Sequence, residues 1–369
     1  MKITLMAKIV VFLTLLSLNL SNLHASMVRN QKIVAGTYPD AQLWVSTDGG
    51  ENWTLKKDLS KTSIPQACIM SLTYDSHNNR LVAGTIRNAQ LWVSTDGGEN
   101  WTLKKDLSKA SPKQDFIRAL TFDSYHSNLI AGTCENAQLW VSTDGGENWT
   151  LKKDLSKASP KQECIKALTF DPYRKRLIAG TNPDAQLWIS TDGGENWELK
   201  KDLSKVSPKQ DMLSALVFDP HNNSLVAGTH PNAQLWVSAD GGENWILTKD
   251  LSKESLSHRI YAMTYDSQNN RLIASTGSDN SAQLWVSTDG GKNWILKKDL
   301  SKESPPQEDV LSLTYDSQNN RLIAGTNPSA QLWISTDGGE NWTLKKDLSK
   351  VSPAQTHIFS LFTFPYRKN

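Results

Sequence analysis

Four acidic side chains, Asp115, Glu163, Asp211 and Glu308, are the residues of this sequence best suited to acid–base chemistry. They fall at one varying position of a recurring pattern, which reads Ala67, Asp115, Glu163, Asp211, His258, Glu308 and His357 along the chain. A pair of carboxylates facing each other across a cleft can cleave a glycosidic bond, one giving a proton while the other acts as base or nucleophile. A second varying position follows two or three residues on, at Met70, Arg118, Lys166, Ser214, Tyr261, Leu311 and Ser360. The third is a loop: Tyr38-Pro39-Asp40, Ile86-Arg87-Asn88, Cys134-Glu135-Asn136, Asn182-Pro183-Asp184, His230-Pro231-Asn232, Gly277 to Ser281 and Asn327-Pro328-Ser329. From these, Arg87, Arg118, Lys166, His258, Arg259, Tyr261 and His357 are the candidates for gripping a ligand. Chemistry is expected where a repeat is broken, because identical units offer only identical groups.

The repeat that positions them is built on Ser46-Thr47-Asp48-Gly49-Gly50-Glu51-Asn52-Trp53, written seven times with its aspartates at Asp48, Asp96, Asp144, Asp192, Asp240, Asp289 and Asp337. The step is 48 residues, with one step of 49, and a fixed period of that length means a repeat architecture. Each copy sits between two strand-like runs such as Gln90 to Ser94 and Asn100 to Lys104. It reads as a hairpin turn: the carboxylate accepts backbone N–H groups ahead of it, the glycines take positive φ, and the tryptophan returns apolar surface to the sheet. Asn52, Asn100, Asn148 and Asn341 match a glycosylation sequon, and inside a compact turn they are expected to stay unmodified.

Around the turn, each period holds four strand signals. One is the Ile-Ala-Gly-Thr type run (Ile33 to Thr37, Leu81 to Thr85); the others are Ala-Gln-Leu-Trp-Val-Ser, Trp-Thr-Leu-Lys-Lys, and a run such as Ile165 to Asp171. Four strands per period predict an all-β, seven-bladed propeller with four antiparallel strands per blade. The chain starts without the fourth strand and ends on it, Ile358 to Phe364, so the last blade is expected to close from the C-terminal strand and the N-terminal strands. The lysine-bearing strand, with Lys56, Lys57 and Lys61, is expected at the outer edge, its charges solvated and guarding against aggregation. Small residues such as Ala119, Ala167, Ala215 and Ala262 place the Leu-Thr-Phe strand at the axis. Propeller topology then puts the loop and the first varying position on one face, and the second at the mouth of the channel.

Ser-x-Asp-x-Gly-x-x-Trp resembles the Asp-box, or bacterial neuraminidase repeat, of β-propellers that include sialidases, glucan hydrolases, sortilin-like receptors and photosystem II assembly factors. The resemblance covers the chain from residue 26 to 369 and implies that the seven box aspartates are structural, on the rim away from the functional face. A sialidase-like member would carry three arginines gripping a carboxylate, a tyrosine with a glutamate partner as nucleophile, and an aspartate acid/base. The Phe-Arg-Ile-Pro-like signature expected near the start is absent, Val28-Arg29-Asn30-Gln31 standing there instead. Arg80, Arg174, Arg176, Arg271 and Arg321 fall on the opposite face from the variable loops, leaving Arg87, Arg118 and Arg259.

The sequence therefore leads to a non-catalytic binding propeller that recognises a glycan or a protein, with a sialidase-like glycoside hydrolase as the alternative. Near-identical blades can present several equivalent weak sites, and Gln42, Gln90, Gln138, Gln186, Gln234, Gln283 and Gln331 either serve them or satisfy buried backbone. A formal charge of +2 over 369 residues gives no reason to expect nucleic acid. Residues 1–25, with Lys2 and Lys8 ahead of an apolar run and Leu23-His24-Ala25 behind it, read as a secretory signal, so export to a secreted or periplasmic location without membrane attachment is expected. Cys68, Cys134 and Cys164 are expected as free, largely buried thiols, and no metal or other cofactor is expected.

Overall fold

The computed structural model describes residues 30–254, 258–277 and 281–366. The leader, Val28, Arg29 and the tip of the loop between Gly277 and Ser281 lie outside them.

Each repeat folds into a four-stranded antiparallel blade. In one, β4 (Cys68–Asp75) pairs with β5 (Arg80–Ile86), β5 with β6 (Gln90–Ser94), and β6 with β7 (Thr102–Asp106). The described residues hold seven such blades. In the closing one, β28 (His357–Tyr366) pairs with β1 (Asn30–Tyr38), followed by β2 (Gln42–Ser46) and β3 (Thr54–Asp58). Inner strands contact one another in a closed circle, β28 touching both β4 and β24 (Asp309–Asp316), so the two ends of the chain complete one blade as expected. The Lys-bearing strand is outermost and the Leu-Thr-Phe strand innermost.

The hydrophobic core lies between blades: Val34 and Leu43 of the closing blade join Leu72, Leu81, Trp92 and Trp101 of the next. Close approach sets the residue types there. A Cβ on Gly36 would stand 2.5 Å from the Ile69 Cβ of the adjacent inner strand. Where a repeat carries Ser275 in place of this glycine, the facing residue is the smaller Val310, whose carbonyl accepts the Ser275 hydroxyl at 2.8 Å.

The Asp-box closes on itself. Asp48 Oδ1 accepts from the Ser46 hydroxyl at 2.8 Å and the Asn52 N–H at 2.9 Å, Asp48 Oδ2 accepts from Asn52 Nδ2 at 2.8 Å, and Trp53 Nε1 donates to the Gly50 carbonyl at 2.8 Å. Both Asn52 amide groups are thus used inside the turn. The repeated glutamines are structural as well: Gln42 is fully buried and its Oε1 accepts from Trp44 Nε1 at 3.0 Å.

Two expectations are corrected. The edge lysines are not merely solvated: Lys56 pairs with Glu99 of the next blade at 2.7 Å, and Lys57 lies 5.9 Å from the Trp92 ring centroid. The cysteines are not all free, since Cys134 and Cys164 form a disulfide between neighbouring blades while Cys68 is a buried thiol. Cys134 ends the second strand of one blade directly opposite Cys164, which opens the inner strand of the next.

Candidate functional site

Every inner strand carries a bulge near its start, marked by a register shift such as that between Ile117 and Ala119. The extra residue leaves the ladder and turns toward the axis. The bulged residues are Met70, Arg118, Lys166, Ser214, Tyr261, Leu311 and Phe359, and they line an axial cavity of about 210 Å³. Phe359, not Ser360, is the last member; the Ser360 hydroxyl instead donates to the Ile69 carbonyl at 3.0 Å, as Ser312 does to Ile358. The alignment of His357 is corrected in the same way. Thr356 is the equivalent of Ala67 and Asp115, its carbonyl accepting the Ala330 N–H at 3.0 Å as Ala67 accepts from Ala41 at 3.2 Å.

The cavity mouth opens into two side compartments of about 330 and 320 Å³, and Arg118 and Lys166 line both as well as the axial cavity. Arg259, Tyr261, Asp309 and His357 line the first; Cys134, Glu135, Glu163 and Cys164 line the second. Arg118 Nη1 donates to the Met70 thioether at 2.9 Å, and Arg259 Nη2 to that of Met212 at 3.1 Å. Arg259 also lies 4.5 Å over the Tyr261 ring, and its Nε is buried without a partner. A thioether is a weak acceptor, so among the described residues these guanidinium groups lack the oxygen partners that buried charge demands.

The electrostatics carry the mark of that crowding. Burial, then repulsion from Arg259, brings Arg118 down to about 10. Burial, then Arg118 and Arg259, brings Lys166 down to about 7, with Glu163 only partly offsetting. His230 is lowered by burial and Arg259, and His357 by burial against the opposing pull of Asp309. An anionic group entering the mouth would remove this repulsion and supply the missing acceptors.

The structure does not gather the four candidate carboxylates. They stand one residue before four different inner strands, and of them Glu163 alone lines one of these compartments. Asp115 accepts from the Asn88 N–H at 3.1 Å, Asp211 lies 3.6 Å from Lys209, and Glu308 is exposed. Arg87 and His258 are exposed at the rim, while Arg118, Lys166, Arg259, Tyr261 and His357 come together. Asp309 was missed by sequence reasoning; it is the one acid at the first residue of an inner strand, where Cys68, Phe116, Cys164, Met212, Arg259 and His357 stand in the others. Among the described residues no group of acidic, histidine or cysteine side chains is arranged to hold a metal.

The structure is similar to that of YCF48 bound to D1 peptide, with 18% identity, a TM-score of 0.54, and coverage of 81% of this chain and 91% of the other. It is also similar to the periplasmic gluconolactonase of Pseudomonas aeruginosa, at 13% identity, TM-score 0.62 and 90% and 98% coverage. Against the GH74 xyloglucanase of Xanthomonas campestris the identity is 16% and the TM-score 0.63, 91% of this chain covering 52% of that enzyme. Such identities speak for the fold alone. A search of curated protein sequences gave no match. The BNR/Asp-box repeat family model matches residues 188–199, and the Sortilin-Vps10 model, described as sortilin, neurotensin receptor 3, matches residues 41–154 and 233–357. With most of its length so matched, the chain belongs to the Sortilin-Vps10 family of Asp-box propellers.

Proposed function

We propose that this protein is an exported, non-catalytic binding propeller that takes an anionic group of a protein or glycan partner into the channel mouth. The observation that carries this reading is the meeting of Arg118, Lys166 and Arg259 in one mouth, where the hydrogen-bond acceptors of both guanidinium groups among the described residues are thioethers. Membership of a receptor-like family and likeness to a propeller that holds a peptide support a protein or peptide partner. The Cys134–Cys164 disulfide supports export, because such bonds persist in oxidising compartments. Among the described residues no helix is long and apolar enough to cross a membrane.

One observation favours the hydrolase alternative: Tyr261 shares its compartment with Arg118, Arg259 and the acid Asp309. Against it, Arg80, Arg176, Arg271 and Arg321 are held in ion pairs between blades, at 2.7 or 2.8 Å from their glutamates. Among the described residues Arg118 and Arg259 are the two arginines lining this compartment, Arg87 being exposed at the rim, and a carboxylate clamp would use three.

Calorimetric titration with acidic peptides ending in a free carboxylate or an amide, and with sialyllactose, tests the reading alongside a fluorogenic sialoside and glucan panel. Binding of a free carboxylate without turnover, lost in Arg118→Met/Lys166→Met, is the expected result. Turnover lost in Tyr261→Phe would replace the binding reading with the hydrolase. Equal affinity in the Met variant would overturn the channel site.

A further inference from the structure

The face opposite the channel mouth carries turns that join each inner strand to the second strand of its blade. At one position of these turns stand His77, Tyr125, Tyr173 and His221 in four consecutive blades, then Gln268 and Gln318. Four rings in a row at a solvent-facing position form an arc that core packing does not explain. Tyr125 is 55% and Tyr173 60% exposed, and neither phenol hydroxyl has a partner among the described residues.

The two tyrosines are nonetheless held in place. The N–H groups of Tyr125 and Tyr173 donate at 2.9 Å to Asp123 and Asp171. Tyr173 meets Phe218 of the next blade edge-on at 5.5 Å, His77 meets Phe122 at 5.7 Å, and Lys175 Nζ reaches back to 3.8 Å from the Tyr125 ring centroid. The same two turns give up a local optimum. The left-handed residue is asparagine elsewhere, at Asn79, Asn223, Asn270 and Asn320, but Ser127 and Lys175 hold it here, at φ 62° and 57°. Asparagine tolerates that conformation better, and strain of this kind gathers at working surfaces.

Apart from Lys175, the charges nearby are paired. Arg174 bonds Asp171 at 3.2 Å, Asn223 Oδ1 at 2.7 Å and the Ala239 carbonyl at 2.8 Å; Arg176 pairs with Glu243, and His126 with Asp123. What remains on offer is exposed ring and phenol hydroxyl, with Lys175, held against the Tyr125 ring, as the one cation of the patch that no carboxylate pairs among the described residues. That combination fits the C–H faces and hydroxyls of pyranose rings. We propose that Tyr125 and Tyr173 form a second site, independent of the channel, that stacks a neutral polysaccharide chain.

Native affinity electrophoresis of the full protein through gels containing hydroxyethylcellulose, barley β-glucan, galactomannan or heparin tests this. At least one neutral polymer should retard the protein. Retardation should weaken about tenfold in Tyr125→Ala/Tyr173→Ala and persist in Tyr125→Phe/Tyr173→Phe, which keeps the ring faces, with unchanged near-ultraviolet circular dichroism confirming the fold. Arg118→Met/Lys166→Met should be retarded like the wild type, separating this site from the channel. Retardation by heparin alone, by none of the polymers, or undiminished in the alanine variant overturns the proposal.

Discussion

Arg321 Nη1 lies 2.8 Å from Glu51 Oε1, joining residues 270 positions apart in sequence across the seam where the ring closes. Lys345 reaches the other oxygen of Glu51 at 3.1 Å. The same three-residue clamp links other neighbouring blades: Lys32 and Lys56 hold Glu99, Arg80 and Lys104 hold Glu147, Arg176 and Lys200 hold Glu243, and Arg271 and Lys297 hold Glu340. At one junction all three members change together. Lys292 stands for the glutamate, Ser224 for the arginine and Thr248 for the lysine, with the Thr248 hydroxyl donating to the Gly291 carbonyl at 2.7 Å. Three cations there would repel.

Repairing that junction should stabilise the ring. The triple variant Ser224→Arg/Thr248→Lys/Lys292→Glu is expected to gain about 1 kcal/mol in denaturant unfolding, the worth of a networked, partly exposed pair. Thr248→Lys alone should lose stability, since it brings a second cation to Lys292. Equal stability of the single and triple variants would show that the clamp is geometric ornament.

The disulfide should matter through the unfolded chain. Cys134 and Cys164 are 30 residues apart, and a loop of that length corresponds to about 3.5 kcal/mol of lost unfolded-state entropy. Cys134→Ser is expected to unfold at lower denaturant than the wild type, and a reducing agent should lower the wild type to the variant's midpoint without moving the variant. A reducing agent that leaves the wild type unmoved would refute the role.

Legibility differed between fold and site for physical reasons. The box turn, the strand order and the closing of the ring are set by local chemistry repeated seven times, so Asp48, Gly49 and Trp53 announced them. The bulges are not local: Phe359 and Ser360 exchange roles because one residue leaves the ladder, which no spacing reveals. Cys134 and Cys164 meet because the second strand of one blade ends beside the inner strand of the next, a contact between units that the single-repeat pattern omits. Tyr125 and Tyr173 carry no signal in the repeat pattern, because their turns lie on the face opposite the variable loops and their exposure is set by how the blades stand side by side.

Each box aspartate is held below the usual carboxylate range. For Asp144, burial pushes the pKa up, but hydrogen bonds from the Asn148 N–H, Asn148 Nδ2 and Ser142 outweigh it. A lowered folded pKa means that the unfolded chain takes up the proton first as pH falls. The stabilisation is therefore complete above about pH 4 and is lost as pH drops further. Asp144→Ala should lose about 1 to 3 kcal/mol at pH 7 by leaving turn donors unmet, and the deficit should shrink below pH 4. Equal melting temperatures at pH 7 would refute the role.

Lys166 gives the channel its own pH signature. Its pKa of about 7 in the folded protein lies far below its ordinary value of 10.5, because burial and the neighbouring Arg118 and Arg259 oppose its charge. Between those two values the unfolded chain holds the extra proton, so this group makes stability rise with pH across the window from 7 to 10.5. Ligand binding runs the other way: an anion in the mouth needs the protonated ammonium, so affinity should fall as pH climbs from 6 to 8. His230 and His357, both lowered from 6.5 by burial, gain charge toward acid pH and steepen that side. Lys166→Met should flatten the fall between pH 6.5 and 8 while leaving any residual binding by Arg118 and Arg259. A slope that survives the substitution would move the proton to another group and remove Lys166 from the site.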